Sequence, residues 1–226
     1  MRTATRSTLA TLMLSLAIAT TLSACASETP AVQDSRDEDA ASYSVQDSVE
    51  QFTGIDFDYN PVPSPAALAE RSDLVVTGTI ERVQEGRDEI IPANEKAPPY
   101  QTIVLVLRDV QAIQGSFEQD NDGYVYIELP NPGQREPSAY EDGLFPGSNV
   151  VAYLMPAFDG VLVEGSDVAM ADPEAGRPLG QALYQPTGPQ ALILQHGTDA
   201  VVWPLIGEKR DGSLEDALPG GELIAS

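Results

Sequence analysis

The chain has few of the side chains on which most catalytic and metal centres depend. Its 226 residues include one cysteine, one histidine and one tryptophan. A single cysteine excludes an intrachain disulfide, and a zinc site built from Cys and His would lack most of its ligands. Basic residues are also scarce, with 12 Lys and Arg against 35 Asp and Glu and a net charge of −23. Because nucleic-acid binding needs basic side chains that neutralise phosphates, this composition excludes nucleic acid as a partner.

The first 24 residues have the composition of an export signal. Arg2 and Arg6 precede an apolar run over residues 12–22, and no acidic residue lies near them. The 11 residues of this run are fewer than the roughly 20 that a membrane-spanning helix needs. We therefore predict a cleaved signal peptide over residues 1–24 in place of a transmembrane anchor.

The signal peptide ends in Leu22-Ser23-Ala24-Cys25, which resembles the lipobox of bacterial lipoproteins. The resemblance implies cleavage before Cys25 and attachment of lipid through its sulfur. Two or three acyl chains give a stable anchor, whereas one alone holds weakly. The chain is thus expected on the extracytoplasmic face of the bacterial cell membrane. The alternative is an ordinary secretory peptide, with Cys25 as a free thiol.

A polar segment follows the lipobox. Residues 26–50 hold seven acidic residues, one Arg and a single aromatic residue, Tyr43. Such a stretch buries too little apolar surface to offset its chain entropy. Residues 25–50 are therefore predicted to be a disordered acidic linker that carries the lipidated Cys25 at its start.

Residues 51–226 are predicted to form a single β-rich extracytoplasmic domain. Ser64 and Pro65 have the residue types of a helix start. From Leu74 onward apolar residues alternate with period two, and Val83 interrupts the alternation, which indicates a bulge near Arg82. Further strands are predicted over the following ranges: 101–113, with both faces buried at 103–107, 124–129, 149–154, 161–163, 191–195 and 200–205.

This succession predicts an antiparallel Greek-key barrel or sandwich with one short N-terminal helix. The segments LVVTGTIERV, TIVLVLRDVQAIQGS, YVYIELP and LFPGSNVVAYL carry the pattern between residues 74 and 154. They resemble a group of secreted bacterial surface proteins with netrin-like barrels of the OB type. The resemblance implies a fold and assigns no functional residue.

No motif in the sequence predicts catalytic residues, a cofactor or a metal site. The nucleophile elbow G-x-S-x-G and the Walker, Rossmann and kinase signatures are absent. His196 stands before Gly197, as a polar hairpin-turn residue would, and a general base is the alternative. The start of a calcium loop at residues 56–60 lacks the Gly and Glu that the loop needs. The acidic residues at 118–123 are interpreted as a turn, with a calcium site as the alternative.

Long loops indicate a functional surface better than any single residue does. Three are predicted, at residues 86–99, 131–147 and 165–190. Loops of this length are often functional. In the second, Arg135, Tyr140 and Phe145 stand among prolines, which predicts a partner contact. The alternative is that Tyr140 and Phe145 fill one end of a barrel.

The sequence therefore favours a membrane-anchored binding or envelope-interaction module without enzymatic activity. Its expected partners are the membrane, through lipid on Cys25, and an envelope protein or glycan. The alternative is a carboxylate-dependent hydrolase of cell-wall material, which would need two acids about 5–10 Å apart. Since 28 acidic residues follow position 50, acid abundance alone does not distinguish the two.

Overall fold

β-Strands are the predominant regular structure and helices are few and short, which confirms the prediction of a mainly β domain. The computed structural model describes residues 45–92, 94, 96–117, 122–158 and 168–226. The strands in this part of the chain are β1 (Leu74–Ile90), β2 (Tyr100–Gln114), β3 (Val125–Leu129), β4 (Asn149–Pro156), β5 (Ala169–Met170), β6 (Leu183–Pro186), β7 (Leu192–His196), β8 (Ala200–Trp203) and β9 (Glu208–Asp211). The α-helices are α1 (Val45–Glu50) and α2 (Pro65–Ala69), and 3₁₀ helices lie at Pro137–Tyr140, Pro189–Ala191 and Leu214–Ala217.

The strands form one mixed sheet in the order β5-β1-β2-β3-β6-β4-β7-β8-β9. β1 also pairs with β4, so the pairings run from β1 through β2, β3, β6 and β4 back to β1. β3 and β6 are parallel, and the prediction of a wholly antiparallel arrangement was wrong at this pair. A parallel pair needs a long crossover, and here the connection is the chain from Pro130 to Ala182, which includes β4.

Apolar residues are buried on both faces of the sheet. On β4, Val150, Ala152 and Leu154 pack into one cluster, while Val151 and Tyr153 pack into a second cluster on the opposite face. α2 and the C-terminal segment contribute to the second cluster. Because both faces of these strands are buried, their sequences are nearly continuous runs of apolar residues.

Two predicted details of β1 and β2 are confirmed. The pairing register shifts between Ile80 and Arg82, where the bulge was expected. Residues 103–107 of β2 are fully buried, and β2 lies between β1 and β3. β1 continues to Ile90, so the loop predicted from residue 86 begins only after residue 90. The predicted strand at 161–163 lies outside the described residues.

The described residues contain two α-helices, whereas one was predicted. α2 begins as expected, with the Ser64 side chain accepting a hydrogen bond from the Ala67 N–H. α1 occupies the last six residues of the segment predicted to be a disordered linker. It packs on the domain through Ser48, which is buried and whose hydroxyl donates to the Gly143 carbonyl at 2.9 Å. Cys25 and the rest of the linker lie outside the described residues. No helix among residues 45–226, as far as they are described, combines the length and apolar character needed to cross a membrane.

Tyr153 of β4 makes the domain sensitive to high pH. Its side chain is fully buried, its hydroxyl donates to the Ala217 carbonyl at 2.6 Å, and burial raises its pKa above the ordinary value. The folded state therefore favours the neutral phenol. This contribution is complete below the unfolded pKa of about 10 and is lost as the pH rises toward the folded pKa.

We expect the free energy of unfolding to fall by up to about 1.4 kcal/mol per pH unit above pH 10 because of Tyr153. Tyr153→Phe should make this fall less steep and cost about 1 kcal/mol at neutral pH through the lost hydrogen bond. Urea unfolding of both proteins between about pH 8 and pH 11 checks this. Equal pH dependence in wild type and variant would contradict it.

Candidate functional site

Asn131 organises the start of the loop 131–147. Its side chain is fully buried, and Oδ1 accepts hydrogen bonds from the Tyr140 hydroxyl at 2.6 Å and from the Arg135 backbone N–H at 2.9 Å. Nδ2 donates to the Arg135 carbonyl at 3.0 Å. Gly133 adopts φ +78° within this turn, a conformation that favours glycine. The first part of the loop is therefore held in place by this buried amide.

The predicted contact residues of this loop separate into two places. Tyr140 is fully buried, and the Arg135 guanidinium lies 4.2 Å from the centroid of its ring. Burial raises the pKa of Tyr140, although Arg135 acts in the opposite direction. Tyr140 is thus an interior residue of the domain. Phe145 is partly exposed and lines a separate cavity of 220 Å³ with His196 and Ser48.

Asn131→Ala is expected to lower the free energy of unfolding by about 2–4 kcal/mol, because it removes the acceptor of the part-buried Arg135 N–H and leaves the buried Tyr140 hydroxyl only the Pro132 carbonyl at 3.4 Å. Tyr140→Phe removes a donor but leaves Oδ1 bonded to Arg135, so it should cost only about 1 kcal/mol. Urea titrations of the two variants test this order. The reverse order would contradict the role assigned to Asn131.

A groove of 390 Å³ lies beside this loop. The Tyr100 hydroxyl accepts a hydrogen bond from the Asn131 N–H at 3.0 Å and so joins the groove to the loop. We call this feature the Tyr100 groove and define it by residues that line it, namely Phe57, Glu89, Tyr100, Glu128, Met155 and residues 185–189. More of its lining surface is apolar than polar, as a contact site for a ligand usually requires.

Tyr100 is the most accessible aromatic side chain of the groove, with 37% of its surface exposed. Burial of the remainder raises its pKa, the Asn131 N–H lowers it, and the nearby Glu89 carboxylate raises it further. A phenol and a carboxylate therefore stand close together at the opening. This combination supplies one negative charge, one aromatic face and a hydrogen-bonding hydroxyl.

Glu128, which lines the groove, belongs to a buried ion pair with Arg87. Arg87 Nε donates to Glu128 Oε1 at 2.8 Å, and Nη2 donates to Oε2 at 2.5 Å. Their side chains are 3% and 10% exposed. Arg87 Nη1 also donates to the Phe158 carbonyl at 2.7 Å, and Thr102 Oγ1 lies 2.9 Å from Glu128 Oε1. Both partners are held in fixed orientations.

The segment 171–181 covers Arg87 from the other side. Arg177 donates to the Gln181 carbonyl at 2.7 Å and to the Pro173 carbonyl at 2.9 Å, and burial lowers its pKa. With Arg87 it lines a polar cavity of 300 Å³. Because its guanidinium is occupied by carbonyls of its own turn, we assign Arg177 a structural role.

Sequence reasoning missed Tyr100, Glu89 and Glu128. Glu89 lay in a range predicted as a loop, and Tyr100 at its end. Glu128 was one polar position of an alternating strand, and no local signal distinguishes it from the acidic residues that are exposed. The pairing of Arg87 with Glu128 joins residues on β1 and β3, so only the tertiary fold brings them together.

His196 ends β7 and pairs with Ala200 across the predicted hairpin, whose Gly197 has φ +63°. Nothing in the described contacts gives His196 a nucleophile or an orienting carboxylate. Within the described residues, no group of three or more His, Cys, Asp or Glu could hold a metal ion. The acidic residues 118–121 lie outside the described residues.

No family model, curated protein or solved structure matches the chain.

Proposed function

We propose that the chain is a lipoprotein anchored through Cys25 on the extracytoplasmic face of the bacterial membrane, where it acts as a non-enzymatic binding or envelope-interaction module. Support for the anchor comes from the lipobox at residues 22–25 and the short apolar run before it. Support for the binding role comes from the Tyr100 groove. Its accessible phenol, apolar walls and fixed ion pair are the features of a preformed contact site.

We further propose that β1, β2, β3, β6 and β4 form a closed barrel of the OB type. The succession of pairings that returns from β4 to β1 supports this arrangement. Closure removes free strand edges, which otherwise invite pairing with other chains. A closed framework would also hold the walls of the Tyr100 groove in place, because β1, β2, β3, β4 and β6 each contribute a lining residue.

The alternative is a hydrolase that uses two carboxylates. Its support is that Glu89 and Glu128 line the same groove. Against it, both Glu128 oxygens already accept hydrogen bonds from Arg87, which disfavours a proton-transfer role. Turnover of peptidoglycan fragments that Glu89→Gln abolishes would overturn the binding proposal in favour of this one.

The binding proposal is tested by chemical crosslinking in intact cells, followed by affinity capture and mass spectrometry. The wild type is expected to recover a specific envelope partner. Cys25→Ala should lose it because the protein no longer stays at the membrane, and Tyr100→Ala should lose it while remaining in the membrane fraction. Tyr124→Ala, which changes a partly exposed tyrosine outside the groove, is the matched control and should retain it.

Recovery of the same partner by wild type and Tyr100→Ala would contradict the groove as its contact site. A Cys25→Ala protein that still fractionates with membranes would contradict the lipid anchor. Thermal melting of the purified variants establishes that each is folded.

A further inference from the structure

The Tyr100 groove carries a negative charge for which the described part of the chain supplies no ion-pair partner. No described residue forms an ion pair or a side-chain hydrogen bond with Glu89, which lies partly exposed at the groove. The second carboxylate of the groove, Glu128, is neutralised by Arg87. The net charge that the described residues present there is therefore negative, and its source is the Glu89 carboxylate.

Aromatic surface accompanies this charge. Tyr100 and Phe57 both line the groove and are both partly exposed. The segment that supplies Phe57 places exposed carboxylates on each side of it, at Asp56 and Asp58. A cation within about 6 Å of an aromatic face is attracted by the ring. Glu89 and Tyr100, which line the groove together, thus offer a carboxylate and an aromatic ring to a basic group.

We propose that the Tyr100 groove binds a lysine or arginine side chain presented by a basic, extended segment of another exported protein. This inference rests on the proposed binding function and adds the chemistry of the partner. The aliphatic stem of such a side chain would pack on Met155 and Pro186 while its charged end reaches Glu89. The groove volume of 390 Å³ suits one or two side chains and is too small for a folded element.

The charge of the whole chain favours the same partner. A net charge of −23 repels anionic polymers and attracts basic segments over distances of about a Debye length. Long-range attraction raises the rate of encounter, and the groove supplies selectivity at contact. Binding should therefore weaken as the salt concentration rises.

The test is an NMR titration of the full chain carrying Cys25→Ser, which keeps it free of lipid. Three acetylated and amidated pentapeptides of alanine and proline serve as probes, with a central lysine, norleucine or glutamate. At low salt the lysine peptide should bind about five- to thirtyfold more tightly than the norleucine peptide and shift the amides of Tyr100 and Glu89. The glutamate peptide should bind most weakly.

Glu89→Gln should bring the lysine-to-norleucine affinity ratio close to one, whereas Glu215→Gln, an exposed acid outside the groove, should preserve it. Equal affinity for lysine and norleucine peptides in the wild type would overturn the inference and leave the binding function intact. Absence of any peptide-induced shift would also overturn it. A third contradicting result would be that a tetramer of N-acetylglucosamine shifts these amides while none of the peptides does. That result would indicate a glycan partner.

Discussion

Arg87→Met is expected to lower the free energy of unfolding by about 3–5 kcal/mol, the usual cost of leaving a buried charge without its partner. Arg87 and Glu128 are 3% and 10% exposed and share two hydrogen bonds. Removing the guanidinium would strand the carboxylate beside Thr102, whose one hydroxyl cannot replace it. Urea unfolding followed by the fluorescence of Trp203, the sole tryptophan, measures the loss.

The double variant Arg87→Met/Glu128→Leu is expected to recover most of this stability, because two apolar side chains of similar volume remove the stranded charge. Arg108 and Glu81 provide a control, since this pair lies 3.1 Å apart with side chains 44% and 32% exposed. Arg108→Met should cost less than about 1 kcal/mol. A double variant as unstable as Arg87→Met alone would contradict the explanation by a stranded carboxylate.

Trp203→Ala is the second change with a large expected effect. Trp203 is fully buried in the cluster that α2 and the C-terminal segment cover. Truncating it should lower the free energy of unfolding by about 3–5 kcal/mol through lost burial and the cavity left behind. Because the variant has no tryptophan, circular dichroism in urea is the suitable measurement.

Trp203→Phe separates packing from hydrogen bonding at this position. Within the described structure, Trp203 Nε1 is buried and has no hydrogen-bond partner. An unpaired buried N–H costs about 1–3 kcal/mol, so its removal should offset much of the lost packing. We expect Trp203→Phe to cost no more than about 2 kcal/mol. A loss as large as that of Trp203→Ala would show that the indole N–H does not carry this penalty.

The strands could be predicted because their determinants are local. Each signal lies within a few residues of the strand that it predicts. The signals are the alternation from Leu74, the apolar run at 103–107 and the turn that follows β7 after His196. The parallel pairing of β3 with β6 could not be predicted in this way. It depends on a chain reversal through β4, and strand order is a property of long-range contacts.

The candidate site was less predictable than the fold, for physical reasons that differ by residue. Gly86 was interpreted as the start of a loop, whereas it is a strand residue. A Cβ there would lie 2.2 Å from Thr102 Oγ1, so glycine allows the close approach of β1 and β2. Tyr140 was a candidate contact residue because aromatic residues are common at interfaces, yet its buried bond to Asn131 makes it structural.

Site-specific photocrosslinking in living cells tests the contact role of the Tyr100 groove most directly. A photoreactive phenylalanine would replace Met155 within the groove, Phe145 in the second cavity, or Glu215 on a surface outside both. We expect a discrete protein adduct from position 155 and none from position 215, and that adduct should disappear when Glu89→Gln is added. An adduct from position 145 or 215 with none from position 155 would contradict the groove as the partner-binding surface.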